Sequence, residues 1–477
     1  MDISKMKFEP DEFQVKVGEV AAKEPKRNIL VKAVAGSGKT TVIFQVNNIL
    51  EQMRHKNLYL VFNKRNQVEA EKKFDKKDIV VQTFNAFGNS LLPTVLTKYK
   101  FKQYKAYDFV PDGAPRSLFV KLFDLFRSYA YGIPNLDGEL ESFDSMLNKI
   151  IDKHSIEIKD KHIYIFKTAL ESLVAERKIV DFNDQLYLPC LLDAWFPKYD
   201  TVFVDECQDL NPIKIHMLKR LLLRGARVIA VGDSKQAIYG FAGADTESIG
   251  TLTKMLDPID LPLSVNYRCS QKVIKEAQKF LPEIQACRTA PEGAVYRTKD
   301  KIKPQIGDFI LCRVNAPLIK MCTELLKDNI PAKVLGRDIG EKLIDTLEKF
   351  TAVDFTQLDA LKNAEIEKAR QKKNKWMEVD IEDRYATISI LFNNNDTIEK
   401  CINFVKAIFA EEAQNVVILS SIHKSKGLET PQVYLIKPDM LPHPKAKEPW
   451  ELAQEDNLHY VAVTRARQNF IYVDSED

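Results

Sequence analysis

Short, nearly continuous runs of β-branched and aromatic residues alternate along this chain with longer stretches of helical periodicity. Ile29–Ala35, Leu58–Phe62, Ile79–Phe84, Thr201–Asp205 and Arg227–Gly232 each read as strands buried on both faces, the pattern of a parallel sheet. A second set follows at Phe309–Cys312, Lys333–Leu335, Val416–Ser420, Val433–Ile436 and Phe470–Val473. Two separate sets predict two α/β sheets. Within each set the pattern is interrupted. Leu91 to Val180 is mostly helical, broken by turn signals such as Pro111-Asp112-Gly113, and residues 351–411 again lack clear strands. Both stretches are expected as insertions. No internal repeat of solenoid period is present in the sequence.

Composition narrows the class. Hydrophobic residues at 45% and charged residues at 29% fit a globular protein and exclude disorder over most of the chain. No apolar run approaches the ~18 residues of a membrane helix. The start, Met1-Asp2-Ile3-Ser4-Lys5, lacks the apolar stretch of a secretion signal. The expectation is a cytoplasmic protein of bacterial or viral source, without a membrane partner. Seven scattered cysteines form no CxxC pair, so neither a zinc site nor a disulfide framework is expected. Lys+Arg 70 against Asp+Glu 67 leaves a formal charge of only +3. Any case for nucleic acid must therefore rest on local distribution.

Chemistry enters at Ala33-Val34-Ala35-Gly36-Ser37-Gly38-Lys39-Thr40, directly after one strand and before a helical stretch. This is the sequence geometry of a P-loop, with Ala33 where the general pattern has its first glycine. Small residues let backbone N–H groups of Ala35 to Thr41 wrap phosphates at a helix N-terminus. Lys39 reaches the β/γ-phosphates and the Thr40 hydroxyl ligates Mg²⁺. Val202-Phe203-Val204-Asp205-Glu206 supplies the complement. The strand delivers Asp205 to the carboxyl edge to hold Mg²⁺, and Glu206 orients or deprotonates the attacking water. A third strand runs into Gly232-Asp233-Ser234-Lys235-Gln236, where the Gln236 amide can sense a γ-phosphate. ATP and Mg²⁺ are the cofactors expected.

From here the motifs resemble those of the UvrD/Rep/PcrA family of superfamily 1 helicases. Asp205-Glu206-Cys207-Gln208-Asp209 is similar to that family's D-E-x-Q-D. The segment from Gly232 to Phe241 resembles G-D-x-x-Q-x-I-Y-x-[WF], and Asn266-Tyr267-Arg268 resembles N-Y-R. Leu311-Cys312-Arg313-Val314-Asn315-Ala316, Ser421 to Glu429 and Tyr460 to Ala466 resemble the remaining motifs, in the family's order, over nearly the whole chain. The resemblance implies two RecA-like P-loop domains with parallel sheets, each carrying a mainly helical insertion. Residues 1–95 and 181–258 would form the ATP-binding domain around an insertion at 96–180. Residues 259–350 and 412–477 would form the second domain around a shortened insertion at 351–411.

The same resemblance assigns roles. Gln14 would read the adenine edge, Tyr267 would stack on the base, and Glu429, beside Gly427, would accept from the ribose. Arg268 and Arg465 would reach the γ-phosphate from the second domain, where a guanidinium fork suits phosphate oxygens. For a single-strand track the expected residues are Phe62, Asn63, Lys64, Thr83, Asn85, Tyr239, Phe241, Ser421 and His423. The first seven follow motif strands at their carboxyl edges, where aromatic faces can stack bases without reading sequence. Two departures stand out: Asn85 replaces a histidine and Ala242 replaces an arginine of the family pattern. The basic run Lys368 to Lys375 reads either as a phosphate grip or as a solvated helix face. The implied activity is an ATP-dependent translocase and helicase, 3′ to 5′ on single strands. Its expected partners are single-stranded DNA, single-strand/duplex junctions and replication or repair proteins. An ATP-gated DNA-binding sensor or protein-stripping subunit of a recombination or phage-defence complex is the alternative.

Overall fold

The structure, a computed structural model, describes residues 10–51, 55–74, 79–154, 156, 158–238, 248–371, 375–410 and 414–474. The chain divides into two units, residues 1–264 and 265–477, each described by itself. Among the described residues the first unit holds a six-stranded parallel sheet. Its strands are β1 (Ile29–Ala33), β2 (Asn57–Val61), β3 (Ile79–Thr83), β4 (Thr201–Val204), β5 (Arg227–Gly232) and β6 (Ile259–Leu263). Their order across the sheet is β3-β2-β4-β5-β1-β6.

Strand alternation explains why β1, β2, β4 and β5 are legible as doubly buried, whereas β3, expected to be buried on both faces, lies at the sheet edge with Val80 exposed. Ile29, Val31, Tyr59, Val61, Phe203, Ile229 and Val231 enter one core, which the helices Glu12–Lys23 and Lys39–Glu51 cover through Val17, Ala21, Val42 and Val46. Leu30, Leu58, Leu60, Val202, Val204, Val228 and Ala230 point the other way, into a second core with Phe84, Phe87 and Leu218. Both faces of a parallel sheet must be covered, which makes its strands apolar at consecutive positions. β6 escapes that reading because its pattern is broken: Ile259-Asp260-Leu261-Pro262-Leu263 is an edge strand, and Pro262 lacks the donor that a central strand needs. Since β6 pairs with β1, the first unit extends to Ser264, past the expected limit at 258.

Residues 105–175 build their own core. The helices Arg116–Ser128, Phe143–His154 and Asp160–Ala175 bring together Phe119, Phe123, Phe126, Phe143, Ile150 and Phe166. A buried ionic cluster ties this lobe to the helix Phe182–Leu191. The Arg127 guanidinium donates to Asp181 at 2.8 Å and to Asp184 at 2.9 Å, and Lys105 Nζ donates to Asp184 at 2.7 Å. Arg127 and Lys105 are both essentially inaccessible to solvent. Removing one partner of such a cluster leaves an uncompensated buried charge, so the joint is costly to break.

The second unit carries a seven-stranded parallel sheet among its described residues. Its strands are β7 (Ala294–Thr298), β8 (Phe309–Cys312), β9 (Ala332–Leu335), β10 (Phe409–Ala410), β11 (Val417–Ser421), β12 (Thr430–Ile436) and β13 (Ala466–Val473), in the order β7-β13-β12-β8-β11-β9-β10. The stretch expected as a shortened insertion forms the helices Phe355–Gln371, Lys375–Asn394 and Ile398–Ile408. These do not stand apart. Leu358, Ile366, Ile381, Tyr385, Ile388, Leu391, Cys401 and Val405 share one core with Ile310, Val334 and Leu419 of the sheet and Leu318 of the helix Ala316–Lys327. Asp383 strengthens the junction by accepting from the backbone N–H of Asn315 at 2.9 Å and of Ala316 at 2.8 Å, capping the helix Ala316–Lys327 across the chain. Because helices and sheet close around a single core, Leu391→Ala should destabilise the second unit by about 2–5 kcal/mol in urea unfolding of the whole chain. Wild-type stability in that variant would separate these helices from the core.

Candidate nucleotide site and strand-contact residues

β4, β5 and β1 are neighbours, so the segments that leave them meet at one carboxyl edge. Lys39 comes after β1, Asp233 after β5, and Asp205 with Glu206 after β4. The Lys39 Nζ reaches across and pairs with Glu206 Oε2 at 2.7 Å. Glu206 sits in the left-handed region at φ 50°, a conformation that costs a non-glycine residue about 1–3 kcal/mol and clusters at functional sites. Asp205 Oδ1 accepts from the Glu206 backbone N–H at 2.8 Å, and Asp205 Oδ2 accepts from the Tyr59 hydroxyl at 3.0 Å. Gln208 bridges two motifs. Its amide nitrogen donates to Glu206 Oε2 at 2.6 Å and its oxygen accepts from the Asp233 N–H at 3.0 Å. Gln236, expected at the γ-phosphate, donates to Asp233 Oδ2 at 2.7 Å.

Burial sets the electrostatics. Asp205 is pushed up to about 6, first by desolvation and then by Glu206, with Lys39 opposing. For Lys39, desolvation favours the neutral form, but Glu206, Asp205 and Asp233 outweigh it and raise its pKa. The lysine is therefore held as an ammonium.

The loop ahead of Lys39 is shaped for an anion. Gly36 and Gly38 adopt φ of 64° and 78°, turning successive N–H groups toward one side ahead of the helix Lys39–Glu51. Gln14, buried at 2% exposure, donates to the Ser37 carbonyl at 3.3 Å and lies against Gly38. Its Oε1 and the Ser37 hydroxyl are buried polar atoms with no hydrogen-bond partner, and a nucleotide would satisfy both. Thr40 and Asp205 offer the hard oxygen donors that suit Mg²⁺. Both groups fit the residues present.

The second unit places its candidates in two clusters. Asn266 is fully buried, and its side-chain oxygen accepts from the N–H of Arg268 at 2.8 Å and of Cys269 at 2.7 Å. That Asx turn leaves the Tyr267 ring exposed and brings Arg268 into an ion pair with Glu429. Arg465 is buried, and its guanidinium donates to the carbonyls of Val461 and Leu428, each at 3.0 Å. Gly427 takes φ 86° beside it. Arg268 and Glu429, assigned to different parts of a nucleotide, hold each other here. Ser421 ends β11, and His423 follows with its pKa pushed down to about 3 by burial, then by Arg313 and Lys424. It is a neutral imidazole at physiological pH.

Of the expected strand-contact residues in the first unit, Phe62 is exposed at the end of β2. Asn63 and Thr83 cap the helices that follow their strands, and Asn85 donates to the Phe182 carbonyl at 2.7 Å. Lys64 Nζ donates to Gln67 Oε1 at 3.2 Å. Tyr239 and Phe241, with Ala242, lie outside the described residues. The basic run is partly engaged: Lys375 pairs with Glu451 at 2.6 Å and Arg370 lies 3.6 Å from Glu378, while residues 372–374 are outside the described residues. Three residues of these sites carry no signal of their role in the sequence. Tyr59 looks like any core position of a strand, and Gln208 fills a fixed position of its motif without showing the two groups it bridges. Lys214, seated over the rings of Phe62 and Phe84 at 5.1 and 5.7 Å and pushed down to about 8 by burial, looks like any helix lysine.

Two family profiles decide the relationship. Residues 16–257 match the UvrD/REP helicase N-terminal domain, and residues 347–475 match the UvrD-like helicase C-terminal domain. This chain belongs to the UvrD/Rep helicase family. It is 26% identical to F-box DNA helicase protein 1 of Schizosaccharomyces pombe over 94% of this chain and 56% of that protein. It is 25% identical to a probable DNA helicase II homolog of Mycoplasma genitalium over 54% of this chain and 41% of that protein. It is 22% identical to the ATP-dependent DNA helicase Rep of Buchnera aphidicola over 93% of this chain and 92% of that protein. The chain thus spans about half the length of the first two. Among the described residues no helix is long and apolar enough to cross a membrane, and the seven cysteines are free thiols.

A buried carboxylate with a raised pKa makes this UvrD/Rep fold sensitive to pH. Below about pH 4, Asp205 is protonated whether folded or not. Above about 6 its buried charge opposes folding, by on the order of 2–3 kcal/mol. Asp205→Asn should therefore raise the melting temperature of the protein, measured without added nucleotide, at pH 7–8 and leave it nearly unchanged at pH 4. A gain that is the same at both pH values would rule out the buried charge as its cause.

Proposed function

We propose that this chain is an ATP-driven DNA translocase and helicase, acting on single strands and single-strand/duplex junctions in the cytoplasm. The observation that carries the reading is the buried Lys39–Glu206–Asp205 cluster beside the unpartnered polar atoms of Gln14 and Ser37. Lys39 neutralises Glu206 in this arrangement. Phosphate oxygens compete for the Lys39 ammonium, and Glu206 is then released to accept a proton from an attacking water. Gln208 keeps that carboxylate aimed while its other end holds the Asp233 backbone. Gln14 presents its free oxygen to the adenine amine, and the amides from Ala35 to Thr41 take the phosphates. Thr40 and Asp205 would hold Mg²⁺, which would supply charge neutralisation for the phosphates. From the family resemblance, Arg268, Arg465, Tyr267, Gly427 and Glu429 also serve the nucleotide, and polarity is 3′ to 5′. Phe62, Asn63, Lys64, Thr83, Asn85, Tyr239, Phe241, Ser421 and His423 are proposed to serve the strand.

Two measurements test this. Lys39→Ala should abolish ATP hydrolysis. Glu206→Gln should bind ATP normally and turn over roughly 10²–10⁴-fold more slowly, the usual loss of a general base. Near-normal turnover would remove Glu206 from that role. Strand displacement should require ATP and a 3′ single-stranded tail. Hydrolysis without displacement of any tailed duplex would favour the ATP-gated sensor.

A further inference from the structure

One exposed segment of the first unit has no task in the nucleotide site. Lys98-Tyr99-Lys100-Phe101-Lys102-Gln103-Tyr104-Lys105-Ala106-Tyr107 alternates aromatic and basic residues with no acid among them. Lys105 turns inward to the buried ionic cluster. Phe101, Tyr104 and Tyr107 do the opposite and stand 50%, 62% and 40% exposed, although large rings of this kind ordinarily pack inward where a core is at hand.

Local structure fixes this arrangement. Lys100 and Phe101 form a short parallel ladder with Ile179 and Val180, closed by hydrogen bonds from the Lys100 N–H to the Lys178 carbonyl and from the Lys102 N–H to the Val180 carbonyl. The ladder sets the Phe101 ring edge-on to Phe182, with centroids 4.8 Å apart. Tyr104 and Tyr107 meet edge-on at 5.9 Å, and the Arg116 guanidinium covers one face of Tyr107 at 5.1 Å. Of the cations here, Lys102 is paired with Asp108, while Lys98, Lys100, Arg116 and Lys178 are exposed. The patch is also continuous with the expected strand track, because the Asn85 amide beyond β3 donates to the Phe182 carbonyl.

We infer that Phe101, Tyr104, Tyr107 and Arg116 form an additional platform for single-stranded nucleic acid, extending the track from the sheet edge onto the lobe of residues 105–175. Unpaired bases supply the flat faces that exposed rings take up, and the spaced lysines follow the phosphates. A duplex hides those faces and would use only the cations. The inference rests on the DNA-motor reading, and the experiment separates the two.

The double variant Tyr104→Ala/Tyr107→Ala removes two exposed rings and leaves the cores and the nucleotide site intact. Fluorescence anisotropy would compare its binding of a short oligothymidylate, of a length one site covers, with that of one several times longer; single-strand sites cover roughly 4–16 nucleotides. The variant should lose roughly five- to 150-fold affinity for the longer strand, the fold-change equivalent to about 1–3 kcal/mol of stacking per base. Binding of the short strand, binding of blunt duplex and ATP hydrolysis without DNA should stay within about twofold of wild type. Tyr104→Trp/Tyr107→Trp should restore the long-strand affinity. Unchanged long-strand binding in the alanine variant would overturn the platform and leave the motor reading standing. An equal loss on blunt duplex would overturn the stacking assignment. Wild-type protein that binds neither oligonucleotide would overturn the motor reading itself.

Discussion

A lysine ammonium and two adjacent carboxylates are packed into the carboxyl edge of a parallel sheet, and the rest of the first unit is arranged to make that tolerable. Taking such charges out of water costs several kcal/mol per ion unless each is paired and hydrogen-bonded. Lys39 pairs with Glu206, the Tyr59 hydroxyl and the Glu206 N–H satisfy Asp205, and Gln208 spans Glu206 and Asp233. Glu206, in the left-handed region, faces the lysine. Even Gly232 is constrained, since a Cβ there would lie 2.5 Å from the Cys207 sulfur and 2.6 Å from Gln208 Oε1.

The second unit stores its cations differently. Arg465 spends its donors on carbonyls at the end of the helix Pro449–Val463 and at Leu428, and Arg268 is matched by Glu429. Arg313 is clamped bidentately by Glu455, at 3.0 Å from Nε and 2.8 Å from Nη2. Each guanidinium therefore has a definite resting partner, and any role with phosphate begins with an exchange of partners rather than the capture of a loose side chain. A fixed starting geometry reduces the ordering entropy of that exchange.

Packing also changes the meaning of the chain's two interruptions. The lobe from 105 to 175 owns an aromatic core and joins its neighbour through buried ions, whereas the helices between 355 and 408 are part of the second unit's core. Asp383 caps a helix that begins at Ala316, a service it cannot render from a detachable lobe. Both stretches look alike in one dimension, because helical periodicity marks a buried face and does not say what covers it.

Sequence alone determined the parallel strands, since doubly buried strands must be apolar at consecutive positions. It also singled out Lys39, Asp205 and Glu206 as candidates, since a glycine-bearing loop between strand and helix and an acid pair after a strand are local patterns. It passed over Ile259–Leu263, where edge position permits Asp260 and Pro262. Only the tertiary structure decided which acid Lys39 meets, because β4 and β1 flank β5 in space while Lys39 and Glu206 stand 167 positions apart in the chain. It alone gave Tyr59, Gln208 and Lys214 their partners, and it alone turned Phe101, Tyr104 and Tyr107 outward. Side-chain pairing and exposure depend on what the fold brings alongside a residue, and strand order and helix packing set that beyond the reach of any local pattern.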